Sequence, residues 1–331
     1  MNILITHNRD LLKNFFSARA VTTLQGLGNV RLNDSDEPLR GDALVAAAKD
    51  CQVIISDRLA PGEALVFAGL PNLLAFLRCA VDARNVDVSA ASAAGILAVR
   101  CSAGYAEACS ELALGLMIDL GRGITQAATL YHQGVHQQPM VFGRQLYGAS
   151  VGIVGYGAIG KRIAALCLCA GMQVSVYDPY AEITEQGIEK VRFEELLASS
   201  DYVVTAAYAT PETIEMFNAR AFGQMRKDSF FINIARGILV DEEALYHALT
   251  RGQIQGAGLD VGRGLDEQPN PKIAVLANVI ATPHVAGLTP EASDYQAMEC
   301  VAQVQDLLAG RVPALALNPE HASRLRSFHH A

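Results

Sequence analysis

The chain has 331 residues, 51% of them apolar and 18% charged, with 26 Lys and Arg against 34 Asp and Glu for a formal net charge of −8. That length exceeds one ordinary core and points to two domains. The acidic balance, without a run of Lys or Arg, argues against nucleic acid or an acidic membrane surface as partner.

In chain order, short β-type runs alternate with helical patterns, the signature of parallel α/β layers. A first series places strands at 3–5, 30–32, 53–55, 73–77 and 96–99. A helix at 106–120 follows, with Leu112, Leu116 and Leu120 at helical spacing. A second series places strands at 151–154, 174–177, 202–206, 230–234, 257–260 and 279–281, enough for a doubly wound nucleotide-binding sheet. A helix at 291–308, with Ala297, Val301, Val304 and Leu308 on one face, stops near Gly310 and Pro313. We expect it to carry the chain back to the first domain. The expected α/β organisation is therefore two doubly wound parallel-sheet domains with a cleft between them. A discontinuous substrate domain spans 1–104 and 289–331, and a Rossmann domain is inserted at 105–288.

The stretch 112–120 is bounded by Glu111 and interrupted by Asp119, short of the roughly 20 apolar residues of a membrane span. Met1 to Thr6 lacks the basic-then-apolar pattern of a secretory leader. Seven scattered cysteines (Cys51, Cys79, Cys101, Cys109, Cys167, Cys169 and Cys300) read as free thiols in a reducing compartment, mostly buried. Cys167 and Cys169, two apart on a helix, diverge and cannot pair. The expectation is a soluble cytoplasmic chain with no membrane, nucleic-acid or metal partner.

The sharpest motif is Gly155-Tyr-Gly157-Ala158-Ile159-Gly160, between the strand at 151–154 and a helix carrying Ile163 and Leu166. The first glycine permits a tight turn, the second lets a pyrophosphate approach the backbone, and the third lets helix and strand pack closely. The free N–H groups at the helix start then meet the phosphates. Asp178, 18 residues past Gly160 at the tip of the next strand, suits an adenosine ribose diol and repels a 2′-phosphate. NAD is thereby favoured over NADP.

Ligands of doubly wound sheets bind beyond the carboxyl ends of the strands. There the sequence places Arg236, Asp260 and His284, each at or just past the end of a predicted strand. An arginine can hold a carboxylate bidentately and polarise a carbonyl. A histidine can move a proton near neutral pH, its ring held by an acid.

The stretch from Phe231 through Arg236 and Asp241 to Leu245 resembles the signature of the D-isomer-specific 2-hydroxyacid dehydrogenases. So do Gly256 to Val261, Ala281-Thr-Pro-His284, the whole of 152–179 and, more loosely, 95–111. The resemblance implies NAD-linked interconversion of a 2-keto acid and its D-2-hydroxy acid by a homodimer. Arg236 would bind the substrate and His284 would be the acid/base. Ile234, Ala235, Asp260 and the segment from His284 to Gly287 would line the cofactor site. Amides of the loop at 79–84, through Ala80, Val81 and Asp82, would hold the substrate carboxylate.

The chain departs from the family after Asp260, where Glu-Pro is replaced by Asp266-Glu267-Gln-Pro269. An ungapped count from His284 selects Asp266 as its acidic partner, and a one-residue shift selects Glu267. Asp82 in the substrate loop, Tyr105, His136, Ala206 and Tyr208 also differ, and they bear on the substrate more than on the reaction. A rival of another class is an NAD(H)-sensing, corepressor-like binding protein on the same fold, which would need little from Arg236 or His284.

Overall fold

The computed structural model describes residues 1–138 and 142–330. They fall into two compact units, Met1–Gly104 with Leu288–Ala331, and Tyr105–Gly287. No helix among the described residues is long and apolar enough to cross a membrane.

The first unit is built on β1 (Asn2–Ile5), β2 (Asn29–Leu32), β3 (Val53–Ser56), β4 (Ala75–Arg78) and β5 (Leu97–Arg100). They form a five-stranded sheet in the order β2-β1-β3-β4-β5, every pair parallel. Side chains alternate between the faces, so apolar runs feed two layers. Ile3, Ile5, Val53, Ile55, Leu77 and Val99 join one core with Leu24 and Val301, Val304 and Leu307. Leu4, Ile54, Phe76 and Ala98 join the other with Leu44 and Phe67. The helix Pro290–Leu308, capped by the Thr289 hydroxyl accepting from Ala292 N, thus returns to this core.

The second unit holds β6 (Ser150–Val154), β7 (Gln173–Tyr177), β8 (Ile188–Lys190), β9 (Tyr202–Thr205), β10 (Phe230–Asn233), β11 (Gly256–Leu259) and β12 (Val279–Ala281). Their order is β12-β11-β10-β9-β6-β7-β8. The chain runs outward from β6 to β8, then restarts at β9 on β6's other side. That reversal is the switch point at which a doubly wound sheet opens a crevice. The helices Ala106–Arg122 and Ala158–Cys169 cover one face through Ala113, Leu116, Met117, Ile163 and Cys167. Phe193–Ser199, Ala219–Gln224 and Glu242–Thr250 cover the other.

Three elements were not expected. β8 carries one apolar residue in three, which gives no alternation to read. The helix Ile124–His132 buries no side chain, and Ser323–His330 is short and polar. Three predicted strands end one residue early, so Ala206, Ile234 and Asp260 lie beyond β9, β10 and β11, on the edge where ligands bind. β4 starts at Ala75 rather than at residue 73.

Candidate active site

Each glycine of the turn after β6 has a separate reason to lack a side chain. Gly155 sits at φ +95, and a Cβ there would come within 2.6 Å of the Ala207 backbone. Its N–H donates to the Tyr177 carbonyl at 2.9 Å. At Gly160 a Cβ would run into the Gly155 carbonyl oxygen. Gly157 differs: its backbone is extended at φ −77, and the nearest atom to an added Cβ is Tyr208 Cε2 at 3.8 Å. Its side is open. The helix Ala158–Cys169 starts from Gly157 with no side-chain cap, leaving the N–H groups of Ala158, Ile159 and Gly160 aimed outward with the helix dipole behind them. That open, uncapped cradle fits a dinucleotide pyrophosphate.

Asp178 follows β7. Its Oδ2 accepts from Tyr156 N at 2.7 Å, and its Oδ1 accepts from Tyr180 N at 2.9 Å and Ala181 N at 3.0 Å. Partial burial pushes its carboxyl up, but these N–H groups and Lys190 outweigh it and hold the group below its usual range. A carboxylate offers about four acceptor positions. Three are filled, and one on Oδ2 remains open.

On the same sheet edge, the turn after β10 is pinned by Asn233. Its Oδ1 accepts from Ala235 N and its Nδ2 donates to the Arg236 carbonyl, both at 3.0 Å. Ile234 and Ala235 are buried. Arg236 is partly exposed, donates from Nη1 to the Ala235 carbonyl at 2.6 Å, and has Nε 3.8 Å from Glu267 Oε2. A Cβ on Gly237 would collide with Gly262, so the turns after β10 and β11 meet backbone to backbone.

Asp260 is fully buried. Its Oδ1 accepts from the Thr282 hydroxyl at 2.6 Å and Val285 N at 2.8 Å, and its Oδ2 from Ala286 N at 2.9 Å. Its main-chain carbonyl accepts from His284 N at 2.9 Å. One buried carboxylate therefore shapes the turn that presents His284, which sits at φ +56. Hydrogen bonds to a buried charge contribute roughly 1.5–3 kcal/mol each. Three of them offset a left-handed non-glycine residue costing about 1–3 kcal/mol. Asp266 and Glu267, at φ +55 and +60, share that conformation. Three of the four left-handed non-glycine residues among those described thus gather at this one place.

The His284 ring lies with Nδ1 3.0 Å from the main-chain carbonyl of Asp266. A carbonyl oxygen can only accept, so this contact puts a hydrogen on Nδ1 and leaves Nε2 as the lone-pair nitrogen of the neutral ring. The contact from Asp266 is thus made by its backbone, with its side chain exposed. The Glu267 carboxylate lies toward Arg236. Cys109 is also near: burial pushes its thiol up to about 12, the Asp260 charge adds to that, and Arg236 opposes it. It is therefore a neutral packing group. Gly287 closes the segment, an added Cβ lying 3.4 Å from Tyr105 Cβ.

The second unit thus brings Arg236, Asp260, Asp266, Glu267 and His284 together beyond β10, β11 and β12. The glycine turn and Asp178 lie beyond β6 and β7 of the same sheet. Asn233 and Thr282 were missed as site residues, although both stand inside the motifs that drew attention to Arg236 and His284.

In the first unit, the loop after β4 has its own order. Cys101 N donates to the Ala80 carbonyl at 2.8 Å and Arg100 Nη1 to the Val81 carbonyl at 3.1 Å. Asp82 Oδ1 accepts from Arg84 N at 3.3 Å and Nε at 3.2 Å. Burial pushes the Asp82 carboxyl up, but Arg84 and Arg78 hold it below its usual range. The N–H groups of Val81 and Asp82 meet no acceptor among the described residues.

Residues 114–286 match the family model described as D-isomer specific 2-hydroxyacid dehydrogenase, NAD binding domain. A D-3-phosphoglycerate dehydrogenase of Mycobacterium bovis is 33% identical over 303 residues, 90% of this chain and 57% of that protein. The chain therefore spans little more than half the length of that relative. A hydroxypyruvate reductase of Thermotoga maritima is 30% identical over 278 residues, 82% of this chain and 90% of that one. Among solved structures, the apo D-lactate dehydrogenase of Escherichia coli superposes with a TM-score of 0.82 at 25% identity, covering 96% of this chain and all of that one.

Proposed function

Because this chain belongs to the D-isomer-specific 2-hydroxyacid dehydrogenase family, we propose that it interconverts a 2-keto acid and a D-2-hydroxy acid with NAD(H). The observation that carries the reading is His284, fixed by a buried Asp260 with Nδ1–H committed and Nε2 available, on the same edge as Arg236.

Gly155, Gly157, Ala158, Ile159 and Gly160 would hold the pyrophosphate and Asp178 the adenosine ribose. Ile234, Ala235, Asp260 and the segment from His284 to Gly287 would frame the nicotinamide end. When bound, the nicotinamide supplies or takes the hydride at C2 of the substrate. Arg236 holds the substrate carboxylate and polarises the C2 carbonyl with its planar fork of donors. In the first unit, Val81 and Asp82 have main-chain N–H groups open to an anion, whereas the Ala80 N–H already donates to the Arg78 carbonyl at 2.8 Å. The protonated His284 donates from Nε2 to the oxygen at C2 as charge develops there. In the reverse direction the neutral ring accepts that proton.

Asp266 acts here as the ring's positioner through its carbonyl, which keeps the productive tautomer. Glu267, whose carboxylate lies 3.8 Å from Arg236 Nε, is the group we assign to balancing an imidazolium. Asp260 serves both as cofactor neighbour and as the residue that builds the His284 turn. A homodimer and a cytoplasmic setting belong to this reading through family membership alone. Light scattering on the purified chain checks the first.

The test is NADH oxidation over 2-keto acids that vary in tail size, charge and phosphorylation, with glyoxylate, hydroxypyruvate and pyruvate among them. At least one acid should be reduced to its D-hydroxy product. An L product would overturn the assignment, and binding of NADH with no turnover on any acid would favour a sensor.

A further inference from the structure

The first unit holds a cluster for which the proposed reaction has no use. Cys79 follows β4, Cys101 follows the neighbouring β5, and Cys300 lies on the helix Pro290–Leu308 packed over them. Their three Sγ atoms all lie within 4.8 Å of one another, Cys101 and Cys300 at 3.6 Å. Cys79 is 8% exposed, and Cys101 and Cys300 are fully buried. Beside Cys79, just past β1, His7 is 2% exposed and its Nδ1 has no hydrogen-bond partner.

Thiols are good core fillers, and three in one layer could be packing alone. Two features exceed what packing needs. Tetrahedral coordination at a zinc–sulfur distance of about 2.3 Å puts ligand sulfurs about 3.8 Å apart, close to the spacing present. The unpartnered His7 Nδ1 is a buried polar atom beside Cys79, where an apolar core would hold none.

We propose that Cys79, Cys101 and Cys300 form a thiolate site for a thiophilic divalent cation, zinc above all, with His7 as the fourth ligand after a shift of its ring. Soft thiolates select such ions, and three cysteines with one histidine is a recurrent structural set. Binding one Zn²⁺ releases up to three thiol protons and leaves three thiolates, one neutral imidazole and a net charge of −1. The ion would tie two strand ends to a helix residue 199 positions past Cys101 and 221 past Cys79.

The test uses the full reduced chain, titrated anaerobically with Zn²⁺ against a chromophoric chelator and separately with Cd²⁺. It is repeated with Zn²⁺ present during refolding. We expect one tight equivalent per chain, proton release, a thiolate-to-Cd²⁺ charge-transfer band and a higher unfolding midpoint. Cys101→Ser and Cys300→Ser should each weaken binding at least about tenfold, and His7→Gln by less. Cys51→Ser, in the opposite layer of the same unit, should change nothing. Cys101→Ala and Cys300→Ala, checked for native circular dichroism, guard against a folding defect in the serine variants. If the wild type takes up no metal by either route, or its metal survives the Cys101 and Cys300 substitutions, the site does not exist.

Discussion

At the scale of single residues, the site turns on how His284 is held. Asp260→Asn keeps the shape but replaces one acceptor oxygen by an NH2 facing either Ala286 N or the Thr282–Val285 pair. A lost buried acceptor should lower stability by about 1–3 kcal/mol and kcat by roughly tenfold or more, while Asp266→Asn does neither. Asn tolerates the left-handed backbone, and the carbonyl that touches His284 stays in place. Glu267→Gln should lower kcat/KM and move the acid/base pKa downward, because a negative neighbour stabilises imidazolium. Steady-state pH profiles of the three variants separate these roles. A profile shifted by Asp266→Asn and unmoved by Glu267→Gln would make Asp266 the carboxylate partner after all. Asp178→Ser should narrow the preference for NAD over NADP, measured as a ratio of kcat/KM values so that any loss of turn stability cancels.

At the scale of elements, the glycine turn makes two substitutions of equal size behave differently. Gly155→Ala meets both a left-handed φ and the Ala207 backbone, so stability should fall by about 1–3 kcal/mol. Gly157→Ala has an ordinary backbone and open space, so the unfolding midpoint should hold while NADH affinity drops, as seen by quenching of NADH fluorescence. Equal affinity in Gly157→Ala and wild type would remove the phosphate from this turn. Much of this was legible because apolar runs, glycine spacing and strand-end polar residues are local signals. What was not legible is made by backbone or by distance. The contact of Asp266 through its carbonyl leaves no trace in side-chain identity. The buried meeting of Cys79, Cys101 and Cys300 joins positions far apart in the chain, which read singly as packing thiols. The edge strand β8 escaped because Glu189 and Lys190 are exposed and give no pattern.

At the scale of the whole molecule, acid sensitivity follows from charge pairs in the second unit. Arg144 reaches Asp201 at 2.8 Å and Asp228 at 2.7 Å, and Arg226 reaches Asp228 at 3.1 Å. The Arg226 hydrogen bond, then Arg144, pull the Asp228 carboxyl down to about 2 against slight burial. A depressed carboxylate adds stability above its ordinary value near 3.9 and loses it as pH falls through the folded value. Unfolding midpoints should therefore be flat above pH ~5 and fall between about pH 4 and pH 2. Asp228→Asn should shrink part of that fall; an unchanged acid limb would contradict the assignment. The residues proposed to place a ligand and those proposed to move a proton lie along one sheet edge, so binding and turnover are expected to be lost separately. The most direct measurement is His284→Ala, assayed for NADH binding by fluorescence and for reduction of the best 2-keto acid. The expected result is an NADH dissociation constant within about threefold of wild type and turnover reduced about 10²–10⁴-fold. Turnover that survives the substitution would contradict the role given to His284, and with it the proposed reaction.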